Sequence, residues 1–352
     1  MWRVDNRTPY AADSGWIRDG EGAESWVVAV KATYDLQRDG TLRLSETQEP
    51  VHSGPIRHSG QESLRYETDL GPSRAATDVL LNGHAHSPGI QAVGELPIAF
   101  RVGSISRSAV VIGDRHWRAG FFGQTPSRPE PFFLMPLVYE RAFGGGGAED
   151  IEGHGNPVGR GLDVNDAGLI AMPNIEHPEM RISSPWDRPL PVAFGPVPSH
   201  WPLRRRLAGT YDSSWFETRR PLAPVDLDPA FWQSVPSEQQ VPSRLRGGEP
   251  VELLNLTPPG FSSDGRFRFV LPRLTIAFET HFFDGSIEHS RAVVHAVILE
   301  PDVPRVCMVY HMTLPCHPRV NLLERTVVRE KKRRFEHSPV ARPDESHGGW
   351  EP

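Results

Sequence analysis

Cysteine, lysine and long apolar runs are scarce in this sequence of 352 residues. The two cysteines, Cys307 and Cys316, are too few for a disulfide scaffold and lack the paired spacing of a zinc site. No stretch approaches the roughly 20 apolar residues that span a bilayer, and the first residues lack the apolar core of a secretory signal. From these absences we expect two free thiols, a cytoplasmic location and no membrane partner.

A large positive charge is also missing. The formal net charge is −6, whereas general nucleic-acid binding relies on a strong positive field, so we expect no nucleic-acid partner. Because lysine occurs only at Lys31, Lys331 and Lys332, nearly all of the 38 basic residues are arginines. The planar guanidinium of arginine also suits polar protein interfaces.

Proline and glycine, in contrast, are abundant, with 35 and 32 residues. Their combined share is well above the average of about 12%. Such a high content of turn-forming residues favours many short strands joined by long ordered loops over long helices. The composition therefore predicts a β-rich, loop-rich protein that is large enough to bury a sizeable core.

The apolar runs divide the chain into four sections. Residues 1–120 carry β-branched and aromatic runs with turn signals such as Asp39-Gly40, and we predict an N-terminal antiparallel β section there. From 121 to 250 the periodicity fails while proline, glycine and tryptophan accumulate, which indicates an ordered, loop-rich section. Residues 251–330 return to strand patterns and predict a second antiparallel β section. The basic and polar residues 331–352 predict a flexible tail.

Short helices are predicted within the middle section. One covers residues 215–220 and ends before Pro221. Another begins after Asp228, an N-cap residue that is followed by a proline suited to the first helical position. The fold class that follows is mainly β, with antiparallel sandwich-like or barrel-like sections at both ends, joined by a long, ordered, loop-rich middle with short helices.

Four consecutive glycines at 144–147 are the most distinctive local pattern. They follow Tyr-Glu-Arg-Ala-Phe at 139–143 and precede Asn-Pro-Val-Gly-Arg-Gly at 156–161. Glycine clusters permit close backbone approach or positive φ angles. A phosphate cradle would need a strand before the run and a helix after it. Because three carboxylates within 149–152 would repel phosphate, we expect an irregular structural loop.

Side chains suited to catalysis or metal binding form no diagnostic motif. His84 and His86 would share one face of a strand, but no third ligand stands at a diagnostic spacing. His311, Cys316 and His317 could form a thiol–imidazole pair for nucleophilic catalysis, although a small buried or edge cysteine is the simpler interpretation. The sequence contains neither a Gly-x-Ser-x-Gly elbow nor a His-Glu-x-x-His helix. We therefore expect a protein that is not an enzyme and needs no cofactor or metal.

Lys31 interrupts an apolar strand in a chain that otherwise uses arginine. A buried lysine can act as a base or nucleophile, or it can pair with a carboxylate. We favour a structural ion pair, since buried charged networks are often structural.

Several segments resemble one family, the domain of unknown function 2169, which is found in bacterial type VI secretion gene clusters. They occur in the expected order and cover most of residues 1–310. Two departures are Arg74, where lysine is expected, and Leu227, where phenylalanine is expected. The matching segments are 6–10, 30–34, 68–70, 77–79, 111–115, 136–145, 156–159, 207–212 with Trp215, Pro224 with Asp226, and 239–240.

The resemblance implies a cytoplasmic adaptor or chaperone that binds a secreted effector protein and helps load it onto the spike complex, a valine-glycine repeat or PAAR-like protein. Such a role needs broad, shaped surfaces and no catalytic centre. The residues that the family motifs mark as candidates for partner binding, each of which could equally serve loop packing, are Lys31, Asp69, Asp78, Asp114, Tyr139, Glu140, Arg141, Phe143, Gly144, Gly145, Asn156, Pro157, Gly209, Tyr211, Asp212 and Trp215.

The alternative function is a hydrolase-like enzyme that uses Asp and His residues near the glycine-rich loop. A deep pocket with converging ionisable groups would favour this enzyme. A broad groove or an exposed apolar patch would favour the adaptor.

Overall fold

The computed structural model describes residues 2–89, 91–120, 123–165 and 168–331, so the predicted tail lies outside the described residues except for Lys331. Within these ranges the fold is mainly β, with several sheets and few, short helices, as predicted. No sheet formed by the described residues closes into a barrel. None of the described helices is long and apolar enough to cross a membrane.

The strands of the first section are short, apart from one long strand that runs through the core. In chain order they are β1 (Arg3–Asn6), β2 (Ala11–Arg18), β3 (Glu24–Leu36), β4 (Leu42–Leu44), β5 (Ile56–Arg57), β6 (Leu64–Tyr66), β7 (Thr77–Leu81), β8 (His84–His86), β9 (Glu95–Val102), β10 (Ile105–Ile112) and β11 (Trp117–Gly120).

The middle section combines brief strands with short helices. Its strands are β12 (Gly123–Pro126), β13 (Leu134–Pro136), β14 (Phe143–Gly144), β15 (Arg160–Gly161), β16 (Ile175–Glu176) and β17 (Gln240–Val241), and β18 (Pro250–Leu254) crosses into the last section. Its α-helices are α1 (Ala148–His154), α2 (Pro202–Arg205) and α3 (Ser213–Thr218). Single 3-10 turns are formed by Tyr139–Arg141, Pro229–Trp232 and Ser237–Gln239.

The last section returns to longer strands, with one 3-10 turn at Val320–Leu322. The strands are β19 (Arg266–Val270), β20 (Ile276–Phe282), β21 (Ile287–Arg291), β22 (Val293–Glu300), β23 (Arg305–Pro315) and β24 (Leu323–Glu330).

Three sheets carry most of the strands, and each combines strands from the beginning and the end of the chain. The largest has the order β17-β7-β22-β23-β3-β2, with β4 added beside β3. The second has the order β16-β10-β9-β18-β19, and the third has the order β1-β24-β20-β21. Sections 1–120 and 251–330 therefore build their sheets together.

One hydrophobic core joins these sheets. Strand β3 lies between β2 and β23 and is buried along most of its length, which explains its near-continuous apolar run. Val30 of β3, Phe100 of β9 and Phe278 of β20 belong to one buried cluster, although each comes from a different sheet. Trp26 packs in the same cluster, and its Nε1–H donates to Thr326 Oγ1 at 2.9 Å.

Local turn chemistry explains the hairpins. The predicted Asp39-Gly40 turn joins β3 to β4, and Gly40 has a positive φ of 80°. The two predicted helices of the middle section also form, as α3 and as the turn Pro229–Trp232. The carboxylate of Asp228 accepts a hydrogen bond from the backbone N–H of Ala230 and caps that turn.

Two histidines stack inside the largest sheet. His295 of β22 and His311 of β23 have ring centroids 4.1 Å apart. The backbone N–H of Arg74 donates to His295 Nε2 at 2.8 Å, and His311 Nε2 donates to the carbonyl oxygen of Gly71 at 3.0 Å. Burial, reinforced by the charge of Arg74, lowers the pKa of His311 to about 4 and holds the pKa of His295 well below its usual value. Both rings are therefore neutral at neutral pH.

Because these histidines stay neutral in the fold, the protein should lose stability as the pH falls below about 6.5, the usual histidine pKa in an unfolded chain. The unfolded state then binds protons that the folded state excludes, and the loss continues until the pH reaches the folded pKa of His311, about 4. For His311 alone we expect a loss of about 2 kcal/mol between pH values of about 7.5 and about 5, measured by urea unfolding.

The variant His311→Gln retains an N–H donor that can reach Gly71 and should flatten this pH dependence. The matched variant His289→Gln, at an exposed position of β21, should leave it unchanged. If His311→Gln unfolds with the same pH dependence as the parent chain, groups other than His311 titrate in this range.

Candidate functional site

The glycine-rich run lies where two segments of the chain cross. Strand β14 pairs in parallel with β15, so the run at 144–147 passes beside residues 156–161. A Cβ atom on Gly144 would lie 2.3 Å from the carbonyl oxygen of Asn156, and one on Gly159 would lie 2.6 Å from the Cα of Gly144. Both distances are too short for any side chain. The close backbone approach expected from the glycines is therefore an approach to the chain itself.

Asn156 ties this crossing together from a fully buried position. Its Nδ2 donates to the carbonyl oxygens of Tyr139 and Phe143, both at 2.9 Å. Its backbone N–H donates to His154 Nδ1 at 3.0 Å, and the Nε2 of that ring donates to the carbonyl oxygen of Gly145 at 2.9 Å. Pro157 follows directly, half-buried in the turn. Buried backbone carbonyls at the crossing thus have side-chain partners.

Asp114 accepts hydrogen bonds from three side chains beside the crossing. Its Oδ1 accepts hydrogen bonds from Arg141 at 2.7 Å, from Arg160 at 3.0 Å and from Asn174 at 3.0 Å. Burial alone would raise the pKa of Asp114, but the Asn174 hydrogen bond and the two guanidinium groups outweigh it and lower the pKa. The side chain of Asp114 remains 49% exposed, so solvent reaches this charged part of the crossing.

A cavity of about 460 Å³ opens next to Asp114. Its ionisable lining includes Asp114, Arg115, His116, Arg160 and Asp163. Arg115 pairs with the buried Glu176, and Arg160 pairs with Asp114, so these charges are already neutralised in part. The described lining residues include no serine, threonine, cysteine or lysine that could act as a nucleophile. The cavity therefore presents carboxylates, one imidazole and two guanidinium groups to a polar ligand.

Lys31 and Asp69 form an ion pair inside the largest sheet. The Nζ of Lys31 is fully buried and lies 3.0 Å from Asp69 Oδ2. The same carboxylate oxygen accepts from the backbone N–H of His52 at 2.9 Å. The ammonium group also lies 5.1 Å from the ring centroid of Tyr66, within the range of a cation–π contact. Lys31 is therefore paired with a carboxylate and is not exposed to solvent.

Asp78, Tyr139, Glu140 and Phe143 also make contacts within the fold. Asp78 is fully buried, which raises its pKa, and it accepts from the backbone N–H and the hydroxyl of Ser234. Glu140 accepts from the backbone N–H groups of residues 62 and 63 and so fixes that loop. The ring of Tyr139 meets Trp201 edge to face at 5.2 Å, and Phe143 meets His154 at 5.3 Å.

The remaining motif residues gather around α3. Asp212 caps this helix, because its carboxylate accepts from the backbone N–H of Trp215 at 2.8 Å. The rings of Tyr211 and Trp215 are 4.6 Å apart, and Tyr211 is 56% exposed. Gly209 has a positive φ of 82°, and a Cβ there would meet Asp226 at 2.7 Å. Of these four residues, Tyr211 therefore offers the largest exposed aromatic surface.

The structure also joins residues that no spacing in the sequence connects. His84 Nδ1 and His86 Nε2 lie 2.7 and 2.5 Å from the two carboxylate oxygens of Asp302. Asp302 follows β22, more than 200 positions later in the chain, so the histidine spacing could not identify it. Among the described residues, no group of three His, Cys, Asp or Glu side chains has a geometry that could hold a metal ion.

Large apolar side chains of the middle section face solvent. Trp186 is 81% exposed, and Asp187 holds its loop by accepting from the backbone N–H groups of Ser183 and Ser184, both at 2.9 Å. The sequence marks the aromatic-rich middle section as a whole for partner contact, but no family motif marks Trp186 individually. A groove of about 390 Å³ lies in the same section, and we call it the middle groove. Its lining includes Arg107, Tyr139, Leu190, Arg206, Val235 and Glu238.

Comparison with known families gives a match that covers most of the chain. Residues 21–311 match the model of a family described as an uncharacterized protein conserved in bacteria, DUF2169. This range is more than half of the chain and includes every motif residue from Lys31 to Trp215. No curated protein and no solved structure matches the chain.

Proposed function

Because the chain belongs to the DUF2169 family, we propose that it is a cytoplasmic adaptor or chaperone that binds a type VI secretion effector. It would help to load that effector onto the spike complex, through a valine-glycine repeat or PAAR-like protein. The observation that carries the proposal is the set of large apolar side chains that the ordered middle section holds in solvent. The most exposed of them are Phe133, Val164, Met180, Trp186, Leu190, Tyr211, Phe216 and Val225.

These side chains project from loops that are already fixed. Asp187 anchors the loop of Trp186, and Asp212 caps the helix that carries Phe216. Asp226 accepts from the backbone N–H and the hydroxyl of Thr210, which secures the segment around Tyr211. A partner that binds such a surface orders few additional residues, so more of the apolar contact contributes to affinity. Exposed aromatic anchors are typical of binding hot spots.

Trp186 gives the direct test. A tagged protein is used to capture partners from its native cytoplasm under conditions in which the secretion genes are expressed, and bound proteins are identified by mass spectrometry. We expect a secreted toxin or a spike component to be recovered. The variant Trp186→Ala should weaken that complex about 30-fold, because losing a central tryptophan anchor costs about 2 kcal/mol.

The control is Phe283→Ala, which removes another largely exposed aromatic side chain, 60% exposed, from the turn between β20 and β21. It should leave the recovery unchanged. If the parent protein recovers neither a toxin nor a spike component although both are expressed, the adaptor function is wrong.

A second candidate function is a hydrolase-like activity at the cavity beside Asp114. The specific observation in its favour is the convergence of Asp114, His116 and Asp163 on one cavity. The pairing of Asp114 with two arginines weighs against it, because a carboxylate with a lowered pKa is a weak base and stays ionised. Substrate screening would become the next experiment if the capture of a partner failed.

A further inference from the structure

The middle groove is bordered by three segments of the middle section. They are the loop at 177–192, helix α2 with the residues that follow it, and the segment at 230–240. Tyr139 and Val197 are buried at its base, while Met180 and Leu190 on its rim are each more than half exposed. The groove therefore offers an apolar base with apolar edges that extend into solvent.

One arginine of the groove is fully engaged by the fold. Arg204 donates from Nε and Nη2 to the carbonyl oxygen of Phe231, at 3.1 and 2.9 Å. Its Nη1 donates to Glu67 at 2.5 Å and to the carbonyl oxygen of Val197 at 2.7 Å. Arg204 thus supports the groove and has little hydrogen-bonding capacity left for a ligand.

Three other donors of the groove have few or no acceptors among the described residues. Arg107 makes one ionic contact, with Glu238 at 3.4 Å, and its Nε–H is buried without an acceptor among the described residues. Arg206 is exposed and has no ion pair or side-chain hydrogen bond within the described part of the chain. The hydroxyl of Tyr139 likewise has no hydrogen bond to a described residue. Glu238 is the one carboxylate among the described lining residues.

An occupant that fits this groove must combine an apolar side chain with a carboxylate. The apolar part would cover Leu190 and Val235, and the carboxylate would accept from Arg206 and Arg107, to which arginine binds in a bidentate manner. A nucleic acid fits poorly, since the walls are largely apolar and the chain is acidic overall. The loop at 177–192, which lines the groove, also carries the exposed Trp186, and this additional apolar surface favours a polypeptide over a small molecule.

We propose that the middle groove docks a short segment of a partner protein in which a large apolar side chain stands next to an aspartate or glutamate. The inference rests on the adaptor function. It specifies where on the adaptor the partner binds and which side chains of the partner are recognised. The hydrogen-bond donors without acceptors would orient the bound segment and select its carboxylate. The apolar base would supply most of the affinity for the segment.

The test begins with a random octapeptide library displayed on phage and selected on the full chain. Selected sequences should be enriched in Leu, Ile or Phe adjacent to Asp or Glu. A fluorescein-labelled selected peptide is then titrated by fluorescence anisotropy. Arg206→Glu should weaken its binding at least about 10-fold, because attraction to the carboxylate becomes repulsion. Leu190→Asp, at an exposed rim position, should weaken it to a similar extent.

The matched control is Arg205→Glu, which makes the same charge change at the neighbouring exposed position. Arg205 does not line the groove and instead pairs on the surface with Glu152. This variant should bind the peptide as the parent chain does. Selected peptides without carboxylates, no selection at all, or equal losses in Arg205→Glu and Arg206→Glu would each overturn the inference.

Capture from the native cytoplasm separates this inference from the proposed function. If the parent chain recovers an effector or spike protein and Arg206→Glu recovers it equally well, the adaptor function is supported. The assignment of the middle groove as its docking site is then wrong. If the parent chain recovers neither, the function itself fails. Sedimentation of the parent chain adds a further outcome: a dimer that Leu190→Asp dissociates would make a second copy of the chain the occupant, and would overturn the proposal.

Discussion

Replacing Asp69 with asparagine should lower the free energy of unfolding by about 3 to 5 kcal/mol, as measured by urea unfolding at neutral pH. The Nζ of Lys31 is fully buried, and Asp69 is the carboxylate that it contacts, at 3.0 Å. The variant leaves this ammonium group without a counter-charge in a site that water does not reach. A buried charge that loses its partner keeps its desolvation cost and loses the attraction that offsets it.

A double-mutant cycle identifies the ion pair as the cause. Lys31→Met alone should also destabilise the protein strongly, because it leaves Asp69 with the His52 N–H as its remaining partner. Lys31→Met combined with Asp69→Asn should recover most of the loss, since Asn Oδ1 still accepts from His52 and the methionine fills the apolar space. If the two losses simply add, the pair contributes little. If Lys31→Met folds normally but loses partner binding, Lys31 has a binding role instead.

The strands could be predicted largely from local patterns. The run at 26–36 is apolar and β-branched because β3 is buried on both faces, and the Asp39-Gly40 turn supplies the positive φ that its hairpin requires. The pairing of β3 with β23 could not be predicted, because about 280 residues separate them and any buried apolar strand would satisfy β3 equally. Sheet order depends on contacts distant in sequence, about which local periodicity carries no information.

The candidate site likewise has features that could be predicted from the sequence and features that could not. The glycine run predicts a close backbone approach or positive φ angles, and the structure shows both, with Asn156 of the motif at 156–161 as the partner. The convergence of Asp114 with Arg141 and Arg160 had no signal of its own, since the three residues lie in separate segments. The middle groove had no sequence signal either, because the three segments that border it are brought together by tertiary contacts.

Gly144→Ala should destabilise the protein by at least about 3 kcal/mol or prevent folding, as measured by thermal and urea unfolding. The added Cβ would lie 2.3 Å from the carbonyl oxygen of Asn156 and 2.9 Å from its side-chain Cγ. Because a backbone carbonyl cannot rotate away as a flexible side chain can, the crossing would have to separate. The hydrogen bonds from Asn156 to the carbonyl oxygens of Tyr139 and Phe143 would then weaken, leaving buried acceptors unpaired.

The matched substitution is Gly153→Ala in α1, nine residues further along. A Cβ at Gly153 meets nothing within 4 Å, and alanine is favoured over glycine in a helix by about 1 kcal/mol, so this variant should be neutral or more stable. Similar stabilities for the two variants would mean that the backbone at the crossing can shift at little cost to accommodate a Cβ atom. The glycine-rich run would then be better explained by a contact with another molecule. A large difference confined to Gly144 would assign the run to the packing of the fold, and partner binding would have to be sought on the exposed surfaces around Trp186 and the middle groove.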